Sequence, residues 1–254
     1  MSHTVLGIDV GGSGIKGAPV DLDRGRFATD RLRVETPEGA RPDDVADVLA
    51  RICEHFAELF DGEGADAPVG VTVPGVVTHG VVRSAANIHP SWVGTDAARL
   101  FSCRLGRRVV VVNDADAAGL AELRHGAAKG HEGLVVVTTL GTGIGSALLH
   151  RGALVPNSEL GHLEIDGHDA ETRAAESARD REDLSWQEWA QRLQRYYSVV
   201  EDLLWPDLIV VGGGVSKKAD KFLPHLHLRA PIVPASLRNA AGIIGAAQLA
   251  AESS

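Results

Sequence analysis

The sequence predicts an α/β protein built from two similar units. Three observations carry this reading. Short apolar runs rich in Val, Ile and Leu alternate with longer segments of helical spacing. A strand, glycine turn, strand pattern opens the chain at Val5–Val20 and recurs at Leu134–His150. The apolar run Val109–Val112 lies between two segments of helical spacing, as strands of a parallel sheet do. The boundary is expected near Gly106. Residues 1–106 would form a smaller first domain and 107–241 a larger second one, with the terminal helix 242–254 packing back on the first.

Val5–Val10 reads as a strand, Gly11-Gly12-Ser13-Gly14 as its turn and Ile15–Val20 as the return strand. A third strand is expected over Leu32–Glu35. Apolar residues Val45, Val48, Leu49, Ile52, Phe56 and Leu59 keep helical spacing over Asp43–Phe60, and Pro42 suits the first turn. Val69–Val73 is a strand stopped by Pro74-Gly75. A helix over Asp96–Leu105 is expected to take Thr95 as N-cap and Gly106 as its stop. The four valines Val109–Val112 suggest a strand covered on both faces. Asp116 is expected to cap the helix after it.

In the second half, Leu134–Thr139, Gly141–Gly145 and Ser146–His150 repeat the opening scheme. Ser185 and Glu188 have capping-box spacing at the head of a helix over Ser185–Leu204. Trp186, Trp189, Leu193, Tyr196, Val200 and Leu203 make one face of it. Leu208–Val211 ends in Gly212-Gly213-Gly214, and a small-residue helix covers Gly242–Ala251.

The composition is that of an ordinary globular enzyme, with 44% apolar and 23% charged residues. A net charge of −9 argues against nucleic acid as the main partner. It leaves room for an anionic small substrate in a local basic groove. The two cysteines, Cys53 and Cys103, lack zinc-site spacing, so no zinc site is expected. No apolar run reaches membrane-spanning length and no signal peptide is apparent, so a cytoplasmic location is expected.

Chemistry concentrates in a few segments. In Asp9-Val10-Gly11-Gly12-Ser13-Gly14 the glycines let backbone N–H groups converge on an anion. Ser13 adds a hydroxyl, Lys16 an ammonium, and Asp9 a carboxylate that can hold Mg²⁺ directly or through water. The same segment also reads as a plain tight hairpin. Thr139, Gly141, Thr142, Gly143 and Gly145 form a second turn of this kind. Gly141-x-Gly143-x-x-Ser146 fails as a dinucleotide fingerprint because a strand, not a helix, is expected next. A P-loop is excluded by the absence of its motif.

Asn113-Asp114 ends a buried strand, where α/β proteins place their ligands. Asp114 can accept a hydroxyl proton as general base, or serve as a helix cap. Glu159 and His162 are three apart and can face one polyhydroxyl ligand, or belong to a structural loop. Gly212, Gly213 and Gly214 can admit a nucleotide or phosphate chain closely, or serve as a helix-entry turn beside the solvated lysines Lys217 and Lys218.

Taken in order, Asp9-x-Gly-Gly-Ser-x-x-Lys16, Asn113-Asp114, Leu140-Gly-Thr-Gly-Ile-Gly145, Glu159-Leu-Gly-His162 and Gly212-Gly-Gly214 resemble the motifs of the ROK sugar kinases. The resemblance spans essentially the whole chain. It implies the duplicated actin/hexokinase-like (ribonuclease H-like) α/β fold with a cleft between domains. Within the family, the short length, Glu159–Glu171, Leu184–Trp189 and Val210–Asp220 are similar to members that use inorganic polyphosphate, and often ATP, to phosphorylate the 6-hydroxyl of glucose. The resemblance implies Asp114 as the base and Asn87, Asn113, Glu159 and His162 as sugar contacts. A cysteine-rich zinc motif common in the family is absent, and Glu171 is the candidate for the sugar-binding Glu that normally follows it. The glycine turns with Lys16 and Lys217 would hold the donor phosphates and Mg²⁺. A homodimer is also implied. An ATP-only kinase of mannose, fructose or an N-acetylated amino sugar, and a sugar sensor without catalysis, are the other readings.

Overall fold

The computed structural model describes residues 4–60, 67–85 and 88–253, the side chains of 59 and 60 excepted. It divides into one unit of residues 1–121 and 240–254 and another of residues 122–239.

The first unit opens with β1 (Thr4–Gly11) and β2 (Gly14–Asp21), an antiparallel hairpin in which Asp9 faces Lys16 and Gly11 pairs with Gly14. β3 (Arg26–Phe27) and β4 (Leu32–Val34) both pair with β2. Helix α1 (Pro42–His55) starts on Pro42, carries Asp43 and Asp44 in its first turn, and buries Val45, Val48, Leu49 and Ile52. It ends five residues short of the expected Phe60, and a 3₁₀ turn over Ala57–Phe60 follows. β5 (Val69–Val73) then lies parallel to β1. A small hairpin of β6 (Val77–Thr78) and β7 (Val81–Val82) precedes α2 (Ala97–Leu105). The N-cap of α2 is Asp96, not Thr95: its carboxylate accepts the Arg99 N–H at 3.0 Å, while the Thr95 hydroxyl donates to the Ser91 carbonyl. Gly106 stops the helix with φ +66°.

β8 (Val109–Asn113) runs parallel to β5 and closes the sheet order β3-β2-β1-β5-β8. Two expectations change here. β8 belongs to the first sheet, so the break after Gly106 moves to residue 121. As an edge strand it also alternates between buried and half-buried valines instead of being covered on both faces. Helix α3 (Asp114–His125) follows β8 without a loop.

The second unit repeats the topology. β9 (Leu134–Leu140), β10 (Ile144–His150) and β11 (Ala153–Val155) form an antiparallel meander. A short hairpin, β12 (Glu164–Ile165) and β13 (His168–Asp169), leads into α4 (Glu171–Ala174) and α5 (Glu176–Arg181). Helix α6 (Trp186–Leu204) starts on the expected capping box: the Ser185 Oγ accepts the Glu188 N–H and Glu188 accepts the Ser185 N–H. β14 (Leu208–Gly212) and β15 (Ile232–Pro234) add in parallel, giving β11-β10-β9-β14-β15. Each sheet is thus a three-strand meander extended by two parallel strands, with β4 as a sixth strand on β2 in the first.

Most of the aromatic face of α6 turns inward. Trp189, Leu193, Tyr196 and Val200 are all buried in the core of their own unit. Trp189 donates its indole N–H to the Ala174 carbonyl at 3.0 Å. Trp186 on the same face is half-buried, and Leu203 is exposed.

The chain returns to the first unit as α7 (Ala241–Glu252), which packs on β1 and β5. Glycines make this approach possible. A Cβ on Gly7 would overlap the Ile243 carbonyl, and one on Gly70 the Ala246 carbonyl. Among the described residues, no helix is long and apolar enough to cross a membrane.

Candidate active site

Parallel strands end at one edge of a sheet, so residues after their last position gather there. In the first unit those strands are β1, β5 and β8, and the edge carries Asp9 with the Gly11–Gly14 turn, Pro74-Gly75, and Asn113-Asp114. Asp9 is in register with Thr72, and Val73 with Asn113. Two strand spacings, about 10 Å, therefore separate the Asp9 and Asn113 backbones.

The buried Thr72 hydroxyl donates to Asp9 Oδ1 at 2.8 Å and accepts the Val10 N–H at 3.3 Å. Lys16 Nζ lies 3.7 Å from Asp9 Oδ2. The carboxylate is thus fixed on one oxygen and next to a cation on the other, with part of it still open to solvent. In the turn, Gly12 and Ser13 are exposed, and a Cβ on Gly12 would meet nothing within 4 Å. Arg33 donates to the Ser13 carbonyl at 2.7 Å and Thr36 to the Gly11 carbonyl at 2.6 Å. Both carbonyls are therefore engaged by these donors. Thr72, Arg33 and Thr36 were not singled out from sequence. Thr72 alone carried a signal, as the one polar side chain in Val69–Val73.

Asn113, not Asp116, caps α3. Its Oδ1 accepts the N–H groups of Ala115 at 2.8 Å and Asp116 at 3.0 Å, and its amide donates to the Gly75 carbonyl at 3.1 Å. Asp116 is buried within the first turn. The Asn113 side chain is therefore already engaged at both ends, and what it visibly does is set Asp114 at the mouth of β8. Asp114 is half-buried, and its Oδ1 accepts the Ala115 N–H at 2.8 Å. A helix N-terminus favours a carboxylate. Asn87 lies outside the described residues.

In the second unit the same edge carries the ends of β9 and β14. The Gly141–Gly143 turn is held by Ser177, whose N–H donates to the Gly141 carbonyl at 3.0 Å and whose hydroxyl donates to the Thr142 carbonyl at 2.6 Å. β10, not a helix, follows the turn in sequence, so the segment does not have the strand–turn–helix context of the dinucleotide fingerprint. Gly213 (φ +82°) sits against Leu140, where a Cβ would overlap the carbonyl and lie 2.7 Å from its nitrogen. This close approach fastens Gly212–Gly214 to the Gly141–Gly143 turn. Lys217 is exposed on the 3₁₀ segment that follows.

Glu159, His162 and Glu171 come together as expected, and Asp169 joins them. His162 Nδ1 donates to Asp169 Oδ2 at 2.9 Å, and His162 Nε2 lies 3.8 Å from Glu159 Oε2. Glu171 accepts the Ile144 N–H at 3.0 Å and presses on Gly143, where a Cβ would overlap its carboxylate. This places it directly beside the glycine turn. His162, Asp169 and Glu171 each offer an atom within 4.8 Å of the others, and neither cysteine belongs to the group. Burial, reinforced by Glu171, raises the Glu159 carboxyl above its usual range against the opposing pull of His162. The Asp169 hydrogen bond is the main cause that raises His162. Away from these clusters, burial pushes the Cys53 thiol up to about 11, so it stays protonated at neutral pH.

A raised imidazole contributes stability that is fully present below its unfolded pKa of about 6.5 and is lost as pH rises through the higher folded value. Asp169→Asn removes the charged acceptor. We expect His162 in that variant to titrate at lower pH than in the native protein, as followed by NMR of the ring protons. An unchanged titration would show that Asp169 does not set it.

Residues 5–175 match the ROK family profile. The chain belongs to the ROK family. Over 243 residues it is 53% identical to a polyphosphate glucokinase of Mycobacterium tuberculosis, covering 95% of this chain and 89% of that one. The crystal structure of an inorganic polyphosphate/ATP-glucomannokinase from Arthrobacter sp. strain KM superposes with a TM-score of 0.93 at 57% identity, covering 99% of each chain. A ROK family glucokinase from Streptomyces griseus, solved with glucose and AMPPNP, shares the fold at a TM-score of 0.83 and 24% identity, over 98% of this chain and 99% of that one. The two matched meanders are thus those of the actin/hexokinase-like fold of ROK kinases. Glu159 and His162 fall inside the ROK-matched segment, and so do both phosphate-type turns at Gly11 and Gly141.

Proposed function

We propose that the chain transfers a phosphoryl group from inorganic polyphosphate or ATP to the 6-hydroxyl of glucose, giving glucose 6-phosphate. The likeness at 53% identity over 95% of the chain to the Mycobacterium tuberculosis polyphosphate glucokinase carries this reading. The paired glycine turns and the Glu159–His162–Glu171 cluster support it from the site itself.

In this reading Glu159, His162 and Glu171 bind the ring hydroxyls. Carboxylates accept from them, and the imidazole fixes the orientation of a neighbouring hydroxyl through Nε2 while Asp169 holds Nδ1. Asp114 takes the proton of the 6-hydroxyl as its oxygen attacks phosphorus, and the remaining donor leaves with the bond electrons. The glycine turns cradle the donor phosphates through N–H groups, with Lys16 as a cation beside the first. Asp9 fits a Mg²⁺ bound mostly by water and phosphate: it offers one carboxylate, braced by Thr72, as Mg²⁺ sites of this kind require. When bound, the ion would neutralise charge on the donor phosphates. Asn113 places Asp114 and is a further sugar contact. A cytoplasmic homodimer is part of the proposal.

A coupled assay crossing glucose, mannose, fructose and N-acetylmannosamine with polyphosphate and ATP, read by product mass, tests this. Glucose 6-phosphate from polyphosphate is the expected product. Mannose is included because the Arthrobacter relative is a glucomannokinase. No sugar phosphate from either donor with glucose would overturn the reading.

A further inference from the structure

In the second unit, three cations from two separate segments converge on one indole. Arg179 Cζ stands 3.9 Å over the Trp186 ring centroid, Lys218 Nζ 5.5 Å from it and Lys221 Nζ 5.6 Å from it. Phe222 stacks on the same indole, with 6.2 Å between centroids and an interplanar angle of 17°. Like charges drawn to one ring repel each other, and a single indole returns only about 0.5–2 kcal/mol per cation. Carboxylates answer part of this charge. Asp180 accepts from Arg179 Nη1 at 2.8 Å, and Glu176 feels both Lys218 and Arg179. Arg179 Nε is buried and has no hydrogen-bond partner among the described residues. Lys218 and Lys221 remain exposed. On a chain of net charge −9, this is a local reversal of sign.

Its position gives it meaning. Arg179 lies two residues beyond Ser177, which holds the Gly141–Gly143 turn by two hydrogen bonds. Lys218 and Lys221 lie on the segment that leaves Gly213, whose backbone touches Leu140 at the same turn. The cations are therefore built onto the two elements that flank the donor turns. An ATP molecule has three phosphates to place, whereas a long polyphosphate continues past the transferred group with charge on every unit.

We propose that Arg179, Lys218 and Lys221, gathered on Trp186, bind the distal phosphates of a linear polyanion whose end lies at the glycine turns. The cluster is a subsite for long-chain polyphosphate, and it rests on the proposed donor chemistry. Trp186 acts as the platform that holds the three cations together.

The test uses the full chain with long-chain polyphosphate, tripolyphosphate and ATP as donors to glucose. The double variant Lys218→Glu/Lys221→Glu changes exposed side chains only, and Arg179→Gln is measured alongside it. KM for long-chain polyphosphate is expected to rise about tenfold or more, equivalent to 1.4 kcal/mol or more of lost binding. The kinetics with ATP and tripolyphosphate should stay within about twofold. Calorimetric titration of long-chain polyphosphate without glucose should weaken in parallel and lose part of its salt dependence. Unchanged KM for the long chain in both variants would overturn the subsite, as would an equal loss with ATP and tripolyphosphate, which would make the cluster part of the general donor site. A native chain that uses ATP but no polyphosphate would instead overturn the donor reading.

Discussion

Asp114→Asn is expected to lower turnover about 10³-fold while glucose still binds. A general base contributes about 10²–10⁴ to a rate, because an unassisted hydroxyl is a poor nucleophile at neutral pH. The asparagine keeps the shape and the oxygen that accepts the Ala115 N–H. Asn113 keeps its three hydrogen bonds to Gly75, Ala115 and Asp116, so the head of α3 stays in place. The loss should therefore fall on kcat, with little change in KM or in the denaturation midpoint. A variant turning over within tenfold of the native protein would remove Asp114 from the base role. Asn113→Ala makes the contrast: losing a cap costs about 1 kcal/mol of stability, and the effect on turnover would come through misplacement of Asp114.

Gly70→Ala is expected to destabilise the first unit by about 3 kcal/mol. Gly70 lies in β5, between β1 and β8, with α7 directly above it. The added methyl would overlap the Ala246 carbonyl and lie 2.9 Å from the Ala247 nitrogen. Neither is the far end of a flexible side chain, so helix or sheet backbone must shift. Overpacking of this kind is a large fraction of a total stability of about 5–15 kcal/mol. Chemical denaturation should show a lower midpoint, and a midpoint within experimental error of the native one would refute the tight contact. The damage also reaches the site, since Asp9 and Thr72 sit on the strands that α7 holds together.

Several residues were legible because their signal is local. A glycine turn between two apolar strands needs only neighbouring residues to be recognised, and so does the Ser185–Glu188 capping box. The five ordered motifs identified the family for the same reason. The errors fell where neighbours distant in sequence decide. Four consecutive valines look covered on both faces, yet among the described residues β8 ends the sheet. Thr95 and Asp96 are both good caps by type, and the choice depended on whether each side chain had another partner. The spacing of α6 makes an aromatic stripe, and only the fold shows β14 and the segment carrying Phe222 packed on most of it.

By itself the sequence determined the α/β class, the duplicated strand–turn–strand scheme, the family and a set of candidate site residues, because these are written in spacing and residue type along the chain. Tertiary structure decided what those residues do to one another. Thr72 braces Asp9 across 63 residues of sequence, Arg33 and Thr36 hold the carbonyls of the first glycine turn, and Asp169 holds the proton on His162. Glu171 had only resemblance to place it, and the fold sets its carboxylate on the Ile144 N–H beside the second glycine turn. A hydrogen bond or an electrostatic shift depends on separation in space, and that quantity does not exist until the sheets have formed.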